Sequence, residues 1–164
     1  MINFIARLMQ PNWFSEILPE KLFLGAMPFD EYEVQQLRAN GVTAILTIQE
    51  ENEYETDLPS FKKFKWRRLS IRDSNLGGLP TEKQLGNAAE ILHQWLDVEH
   101  HVVYIHCYAG QGRSPLVTMA YLSLWQNMSP DDAIQFVRDK REYARPTPGQ
   151  IQILRSLLKK RKNS

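Results

Sequence analysis

The sequence is poor in several features, and each shortage excludes a class of protein. Its 164 residues contain one cysteine, Cys107, so no disulfide can form within the chain and a reducing compartment is suitable. No run approaches the roughly 18 consecutive apolar residues of a membrane-spanning helix. No Gly-x4-Gly-Lys-Ser/Thr segment occurs, which excludes a Walker-type phosphate loop. The formal net charge is only +1, and we therefore expect no nucleic acid partner.

What the chain does contain is typical of a soluble globular domain. Hydrophobic residues make up 43% and charged residues 24%, and we assign residues 1–164 to a single domain with its own core. Residues 1–10 are too short and too mixed for a secretory signal. Their apolar members either pack on the domain, which we expect, or form a small anchor at a membrane surface: Ile2, Phe4, Ile5 and Leu8.

Strand-like and helix-like segments alternate along the chain. The pattern predicts strands at 13–18, 22–24, 42–48, 64–71 and 102–105. It predicts helices at 29–39, after Thr81, at 114–128, and after the caps Ser129 and Thr147. This alternation predicts an α/β fold with a mostly parallel central sheet flanked by helices. A functional site is then expected at the carboxyl ends of the strands.

The most informative segment is residues 106–114, His-Cys-Tyr-Ala-Gly-Gln-Gly-Arg-Ser, between a buried strand and a charge-free helix. The N-terminus of a helix attracts anions through its free N–H groups and its dipole. Gly110 and Gly112 allow the tight curvature that aims successive N–H groups at one point. Arg113 adds a planar fork for two phosphate oxygens. In that field we predict that Cys107 acts as a thiolate nucleophile.

These groups meet the needs of phosphate monoester hydrolysis. Cys107 would attack phosphorus and form a phosphocysteine intermediate. The loop N–H groups and Arg113 would hold the equatorial oxygens, which makes five loop residues candidate substrate-binding groups: Tyr108, Ala109, Gly110, Gln111 and Gly112. Because these groups supply the positive charge, we expect no metal ion and no cofactor. The alternative, a buried structural cysteine, leaves the agreement of strand, glycines, arginine and helix unexplained.

The leaving group also needs a proton from a separate loop. Asp73 is the candidate general acid because it opens the turn-rich segment 73–80, and Asp57 and Asp97 are its rivals. Ser114 can hydrogen-bond the cysteine sulfur and also cap the helix. His106 precedes the nucleophile on the strand, so its side chain should point away and brace the loop backbone.

Residues 106–114 resemble the signature of the cysteine-dependent protein tyrosine phosphatases, His-Cys-x5-Arg-Ser/Thr. The spacing from Asp73 to Cys107 and the segment 145–150 are similar to the dual-specificity phosphatases, and this likeness covers almost the whole chain. The resemblance implies a dual-specificity phosphatase-like fold, metal-independent hydrolysis of phosphomonoesters and a general-acid role for Asp73.

Three further segments, 17–28, 50–56 and 69–73, resemble the mitochondrial-type phosphatases that act on phosphatidylglycerophosphate. In that subfamily an acidic-tyrosine motif lines the site, which implies substrate-binding roles here for Glu53, Tyr54 and Glu55. The subfamily also carries basic residues inside the signature loop and a more compact acidic motif. This chain instead has Tyr108 and Gln111 in its loop.

A cluster of cations lies elsewhere, between residues 62 and 72: Lys62, Lys63, Lys65, Arg67, Arg68 and Arg72. The cluster leads into the predicted general-acid loop. It either faces the mouth of the site, where it would attract anionic headgroups, or is a solvated strand face.

The sequence therefore predicts a metal-independent, cysteine-based phosphatase with a phospholipid headgroup, in particular phosphatidylglycerophosphate, as substrate. Phosphotyrosine or phosphoserine/threonine in a phosphoprotein is the alternative substrate. A pseudophosphatase that only binds its partner is a further alternative. The complete catalytic set argues against it: Cys107, Arg113, Ser114 and Asp73. We expect a monomer on the cytoplasmic or organellar-matrix side, with peripheral membrane contact.

Overall fold

A computed structural model describes residue 9, residues 12–53 and residues 58–164 of the chain. Five strands form one sheet in the order β1-β2-β5-β3-β4, and their bounds are β1 Phe14–Leu18, β2 Leu22–Gly25, β3 Ala44–Ile48, β4 Lys65–Leu69 and β5 Val103–His106. β1 pairs with β2 antiparallel, and every other pairing is parallel. The predicted α/β fold with a mostly parallel sheet is confirmed.

Helices cover the sheet, with bounds α1 Glu31–Ala39, α2 Glu82–His93, α3 Arg113–Trp125, α4 Pro130–Lys140 and α5 Pro148–Lys162. The predicted caps form as expected, because Thr81 and Thr147 make capping boxes and Ser129 accepts a hydrogen bond from the Asp132 N–H. A π-helical turn, Gln94–Val98, continues α2. Two 3₁₀ turns, Pro59–Lys63 and Ser74–Leu76, are not predicted by the sequence pattern.

The core lies on both faces of the sheet, as a mostly parallel sheet requires. On one face, alternate strand residues such as Leu46 and Ile105 pack against α2, α3, α4 and α5. On the other face, Ile45 and Tyr104 pack with Val34 of α1 and with several aromatic side chains of the same cluster. The alternation within each strand divides the apolar side chains between the two layers.

Several element bounds differ from the sequence prediction. Helix α1 begins at Glu31 rather than at residue 29 because the Asp30 carboxylate accepts the Glu33 N–H at 2.9 Å and makes Asp30 the cap. The strand predicted at 64–71 is only Lys65–Leu69, and the strand predicted to start at residue 13 begins at Phe14. Helix α3 ends at Trp125 rather than at residue 128, since Asn127 adopts φ +57°.

Two sequence predictions lie outside the described residues. These are the packing of residues 1–8 and the arrangement of residues 54–57, which include Tyr54, Glu55 and Asp57. Of the helices in the part of the chain that the structure describes, none combines the length and the apolar character needed to cross a membrane.

Candidate active site

The candidate active site lies over the carboxyl ends of three neighbouring strands. β5 leads directly into Cys107, β3 leads into the turn that carries Glu53, and β4 leads into the loop that carries Asp73. Because β3 lies between β5 and β4 and all three are parallel, their loops meet at one edge of the sheet.

A cavity of about 120 Å³ opens at this edge. Ten residues line it: Asp73, Ser74, Asn75, Cys107, Ala109, Gln111, Gly112, Arg113, Arg145 and Thr147. A cavity of this size can take a phosphate group, and a larger substrate would extend from its open side.

Cys107 is buried at the base of this cavity and contacts the first turn of α3. Its Sγ lies 3.2 Å from the Oγ of Ser114, which is fully buried. Gly110 has φ +65°, and a Cβ at this position would lie 2.4 Å from the carbonyl carbon of Gly25. A side chain at Gly110 would therefore displace the loop, which explains the glycine.

The Arg113 guanidinium is held by a nearly complete set of acceptors. Its Nη1 donates to Glu53 Oε2 at 2.6 Å and to the Ile71 carbonyl at 2.8 Å. Its Nη2 donates to Glu53 Oε1 at 2.6 Å and to Asp73 Oδ2 at 2.7 Å. A guanidinium has five N–H groups, so these four bonds engage all of its terminal N–H groups. Burial opposes the charged form, but hydrogen bonding to Glu53 and the neighbouring negative charges raise the pKa of Arg113 above its ordinary value.

Asp73 combines a structural contact with a place on the cavity wall. Its Oδ1 accepts the Asn75 N–H at 2.8 Å and so begins the short 3₁₀ turn Ser74–Leu76. Its backbone carbonyl accepts the Gly78 N–H at 2.9 Å. The carboxylate is thus fixed at the cavity wall by its own loop and by Arg113.

His106 lies below the loop and braces its backbone. Its Nδ1 is 3.0 Å from the Cys107 carbonyl oxygen, and its Nε2 is 2.8 Å from Thr47 Oγ1, which lies 3.0 Å from Trp66 Nε1. The indole only donates and the carbonyl only accepts, so Thr47 donates to Nε2 and the His106 proton is on Nδ1. Burial lowers the pKa of His106 to about 4, against the effect of its bond to Cys107, and keeps the ring neutral near pH 7.

A second brace comes from Arg141, a residue that sequence reasoning missed. Arg141 is 1% exposed, and its Nε donates to the Gly110 carbonyl at 2.9 Å while Nη2 donates to the Ala109 carbonyl at 3.2 Å. Another guanidinium nitrogen reaches Ser15 Oγ at 3.3 Å, which ties the loop to β1. The one sequence signal for Arg141 is its position four residues before Arg145, in the segment that leads to α5.

The structure brings together only some of the residues predicted to bind substrate. Ala109, Gln111 and Gly112 line the cavity, whereas Tyr108 and Gly110 do not; the Tyr108 carbonyl accepts the Met27 N–H at 2.9 Å. Glu53 contacts Arg113 rather than the cavity, and Tyr54 lies outside the described residues.

The rival general acids are not placed at the cavity by the structure. Asp97 bonds His93 at 2.8 Å and the Tyr121 hydroxyl at 3.0 Å, far along α2 and α3 from the signature loop. His93 also stacks on Trp125 and is half-buried. Asp57 lies outside the described residues.

The cation cluster at residues 62–72 does not line the cavity. Lys65 forms an ion pair with Glu99 at the opposite end of β4, and Arg68 donates to the Glu50 carbonyl at 3.0 Å. The second contact supports the turn that carries Glu53. Arg145 lines the cavity together with Arg113, and the sequence indicated Arg145 only as part of the segment 145–150.

Comparison with known proteins decides the family. Residues 22–160 match the family model described as "Dual specificity phosphatase, catalytic domain". The chain belongs to this family. It is therefore a cysteine-based phosphatase, a phosphoric monoester hydrolase, with the fold that the resemblance implied.

Individual relatives within the dual-specificity phosphatases narrow the comparison. The human "Phosphatidylglycerophosphatase and protein-tyrosine phosphatase 1" is 29% identical over 153 residues, covering 90% of this chain and 74% of that protein. The "Phosphatidylglycerophosphate phosphatase PTPMT1" of Arabidopsis thaliana is 33% identical over 132 residues, covering 79% of this chain but only 38% of the plant protein. A crystal structure of PTPMT1 in complex with PI(5)P superimposes with a TM-score of 0.80 at 25% identity, covering 93% of this chain and 98% of that one.

Proposed function

We propose that this chain removes the monoester phosphate of phosphatidylglycerophosphate through a phosphocysteine intermediate. The observation that carries the proposal is the convergence of Cys107, Arg113 and Asp73 on one cavity that fits a phosphate group. The substrate follows from the relatives, because both the human and the plant protein are named for that activity.

In the first step the Cys107 thiolate attacks phosphorus, and the bond from phosphorus to the glycerol oxygen breaks. Protonated Asp73 gives its proton to that oxygen. The lipid product, phosphatidylglycerol, then leaves with a free hydroxyl group on its glycerol. The loop N–H groups and Arg113 stabilise the charge on the three equatorial oxygens.

In the second step water attacks the phosphocysteine, and the Asp73 carboxylate accepts a proton from that water. The sulfur leaves as a thiolate that accepts a hydrogen bond from Ser114, whose Oγ lies 3.2 Å from Sγ. Inorganic phosphate is released, and the enzyme returns to its starting state.

Substrate binding must rearrange Arg113, because its four terminal N–H groups already have acceptors. Because Nη1 and Nη2 together hold the two Glu53 oxygens, the fork left for two phosphate oxygens is Nε–H with the Nη2 N–H that now donates to Asp73. The exchangeable contact is the one to Asp73, since Glu53 and the Ile71 carbonyl hold the outer edge of the guanidinium. Binding of phosphate thus releases Asp73 from Arg113 and frees it for proton transfer to the leaving oxygen.

A phosphate-release assay tests the function. Purified protein is given phosphatidylglycerophosphate, phosphatidic acid, a phosphotyrosine peptide and p-nitrophenyl phosphate, with Cys107→Ser as the control for contaminating phosphatase. We expect the highest kcat/KM on phosphatidylglycerophosphate. A higher kcat/KM on the phosphotyrosine peptide would make the chain a protein phosphatase, and no turnover of any substrate would contradict the mechanism.

We infer that the enzyme works as a monomer at the periphery of a membrane that faces a reducing compartment. All the groups assigned to catalysis come from one chain. Leu76 and Leu79 are 49% and 50% exposed on the loop whose residues Ser74 and Asn75 line the cavity. Exposed leucines beside an anion site suit a lipid surface. Co-sedimentation of the protein with vesicles containing anionic lipid, before and after Leu76→Ser, tests this contact.

A further inference from the structure

Arg145 differs from Arg113 and Arg141, the other arginines of the site, because no structural or catalytic role has been assigned to its guanidinium. Arg113 donates its terminal N–H groups to Glu53, Asp73 and a backbone carbonyl and is assigned to the monoester phosphate, and Arg141 is buried beneath the loop. Arg145 lines the cavity and is exposed, and its guanidinium forms no hydrogen bond, ion pair or ring contact with any residue that the structure describes.

The backbone of Arg145 is nevertheless held firmly at the rim. Its N–H donates to the Gln111 carbonyl of the signature loop at 2.7 Å, and its neighbours Ala144 and Pro146 are buried. The attachment point of the side chain is therefore fixed relative to the phosphate loop, while the charged end remains available to a ligand.

The size of the cavity determines what such a cation meets. About 120 Å³ accommodates the monoester phosphate, so the next part of the substrate must pass the rim. In phosphatidylglycerophosphate the three carbons of one glycerol separate the monoester phosphate from the diester phosphate. The diester phosphate carries one negative charge at neutral pH. It would lie at the rim of the cavity when the monoester phosphate is bound inside.

We propose that Arg145 binds the diester phosphate of the substrate and selects lipids that carry two phosphates. The inference rests on the proposed function, since it assigns a second anion subsite to the same cavity. Arg145 provides the cation that the signature loop lacks at Tyr108 and Gln111. A guanidinium suits this task because its fork matches two phosphate oxygens.

The test compares two water-soluble substrates that differ in the second phosphate. Dihexanoyl phosphatidylglycerophosphate has both phosphates, and dihexanoyl phosphatidic acid has only the monoester. Arg145→Gln should lower kcat/KM on the first by about five- to tenfold and on the second by less than about twofold, the size of one partly exposed charge-assisted hydrogen bond. Arg145→Lys should recover part of the loss, because it restores the charge without the fork.

A matched control is Arg138→Gln, which removes an exposed arginine of α4 that does not line the cavity. It should leave both substrates unchanged. Equal losses on both substrates in Arg145→Gln would overturn the subsite and indicate that the side chain only supports the loop. Unchanged kinetics of Arg145→Gln on a lipid that the wild type prefers would overturn the subsite but leave the proposed function standing. A wild type that cleaves p-nitrophenyl phosphate but neither lipid would overturn both.

Discussion

Replacing Glu53 by glutamine tests how the Arg113 guanidinium is held. The Arg113 and Glu53 side chains are 2% and 3% exposed, and each Glu53 oxygen accepts a hydrogen bond at 2.6 Å. Glutamine keeps the shape but removes the charge and directs an NH₂ group at an N–H donor. Removal of one partner of a buried ion pair costs about 3–5 kcal/mol. Because Asp73 still neutralises part of the Arg113 charge, we expect the low end, about 3 kcal/mol.

That loss is large beside a total free energy of unfolding of about 5–15 kcal/mol. A change of 1 kcal/mol shifts the Tm of a chain of this size by about 2–4 °C, so Tm should fall by about 6–12 °C. Thermal and urea unfolding of the wild type and Glu53→Gln at pH 7 measure the effect. The kcat/KM on p-nitrophenyl phosphate should fall by about 10²-fold, as for the loss of one well-placed donor to the transition state.

Glu51→Gln is the matched control, since Glu51 lies in the same turn and is exposed. Its free energy of unfolding should change by no more than about 0.5 kcal/mol. If Glu53→Gln lost less than about 1 kcal/mol and kept normal kcat/KM, the reasoning would be refuted. The Ile71 carbonyl and Asp73 would then suffice to position Arg113.

Three other changes test separate parts of the mechanism. Cys107→Ser should abolish turnover while inorganic phosphate still binds, as measured by calorimetry; measurable turnover would contradict the covalent intermediate. Asp73→Asn should slow hydrolysis of alkyl phosphates by about 10²- to 10⁴-fold but hardly affect activated aryl phosphates, because only the former need a proton on the leaving oxygen. His106 has its pKa lowered from 6.5 to about 4, so the unfolded chain binds more protons between these values. Stability from this residue is complete above pH 6.5 and is lost as pH falls towards 4, by about 3 kcal/mol. His106→Gln should reduce this slope in urea unfolding, and an unchanged slope would assign the loss to other groups.

The signature loop could be predicted because its chemistry is local. Nucleophile, glycines, arginine and the start of α3 follow one another within residues 106–114, and the backbone of one loop brings them together. The helix starts were predicted for the same reason, since a cap such as Thr81 contacts an N–H only three residues away. The alternation of strands and helices also predicted the parallel sheet.

The partners of Arg113 required the tertiary structure. Glu53 and Asp73 lie 60 and 40 residues from Arg113, and they meet only because β3 is placed between β5 and β4. Strand patterns show which residues are buried, but they do not show the order of strands in a sheet. The resemblance implied a substrate-binding role for Glu53, and strand patterns alone did not show that its carboxylate contacts Arg113.

The same limit applies to the cations around the site. Six cations between residues 62 and 72 look like one cluster in the sequence, but neighbouring side chains of a strand point to opposite faces. Lys65 therefore reaches Glu99 while Arg68 reaches the Glu50 carbonyl, and neither lines the cavity. Arg145 lines it because its N–H bonds the Gln111 carbonyl, 34 residues earlier in the chain. Sequence determined the chemistry of the loop, where contacts are local, and only the folded chain decided which distant charges surround it.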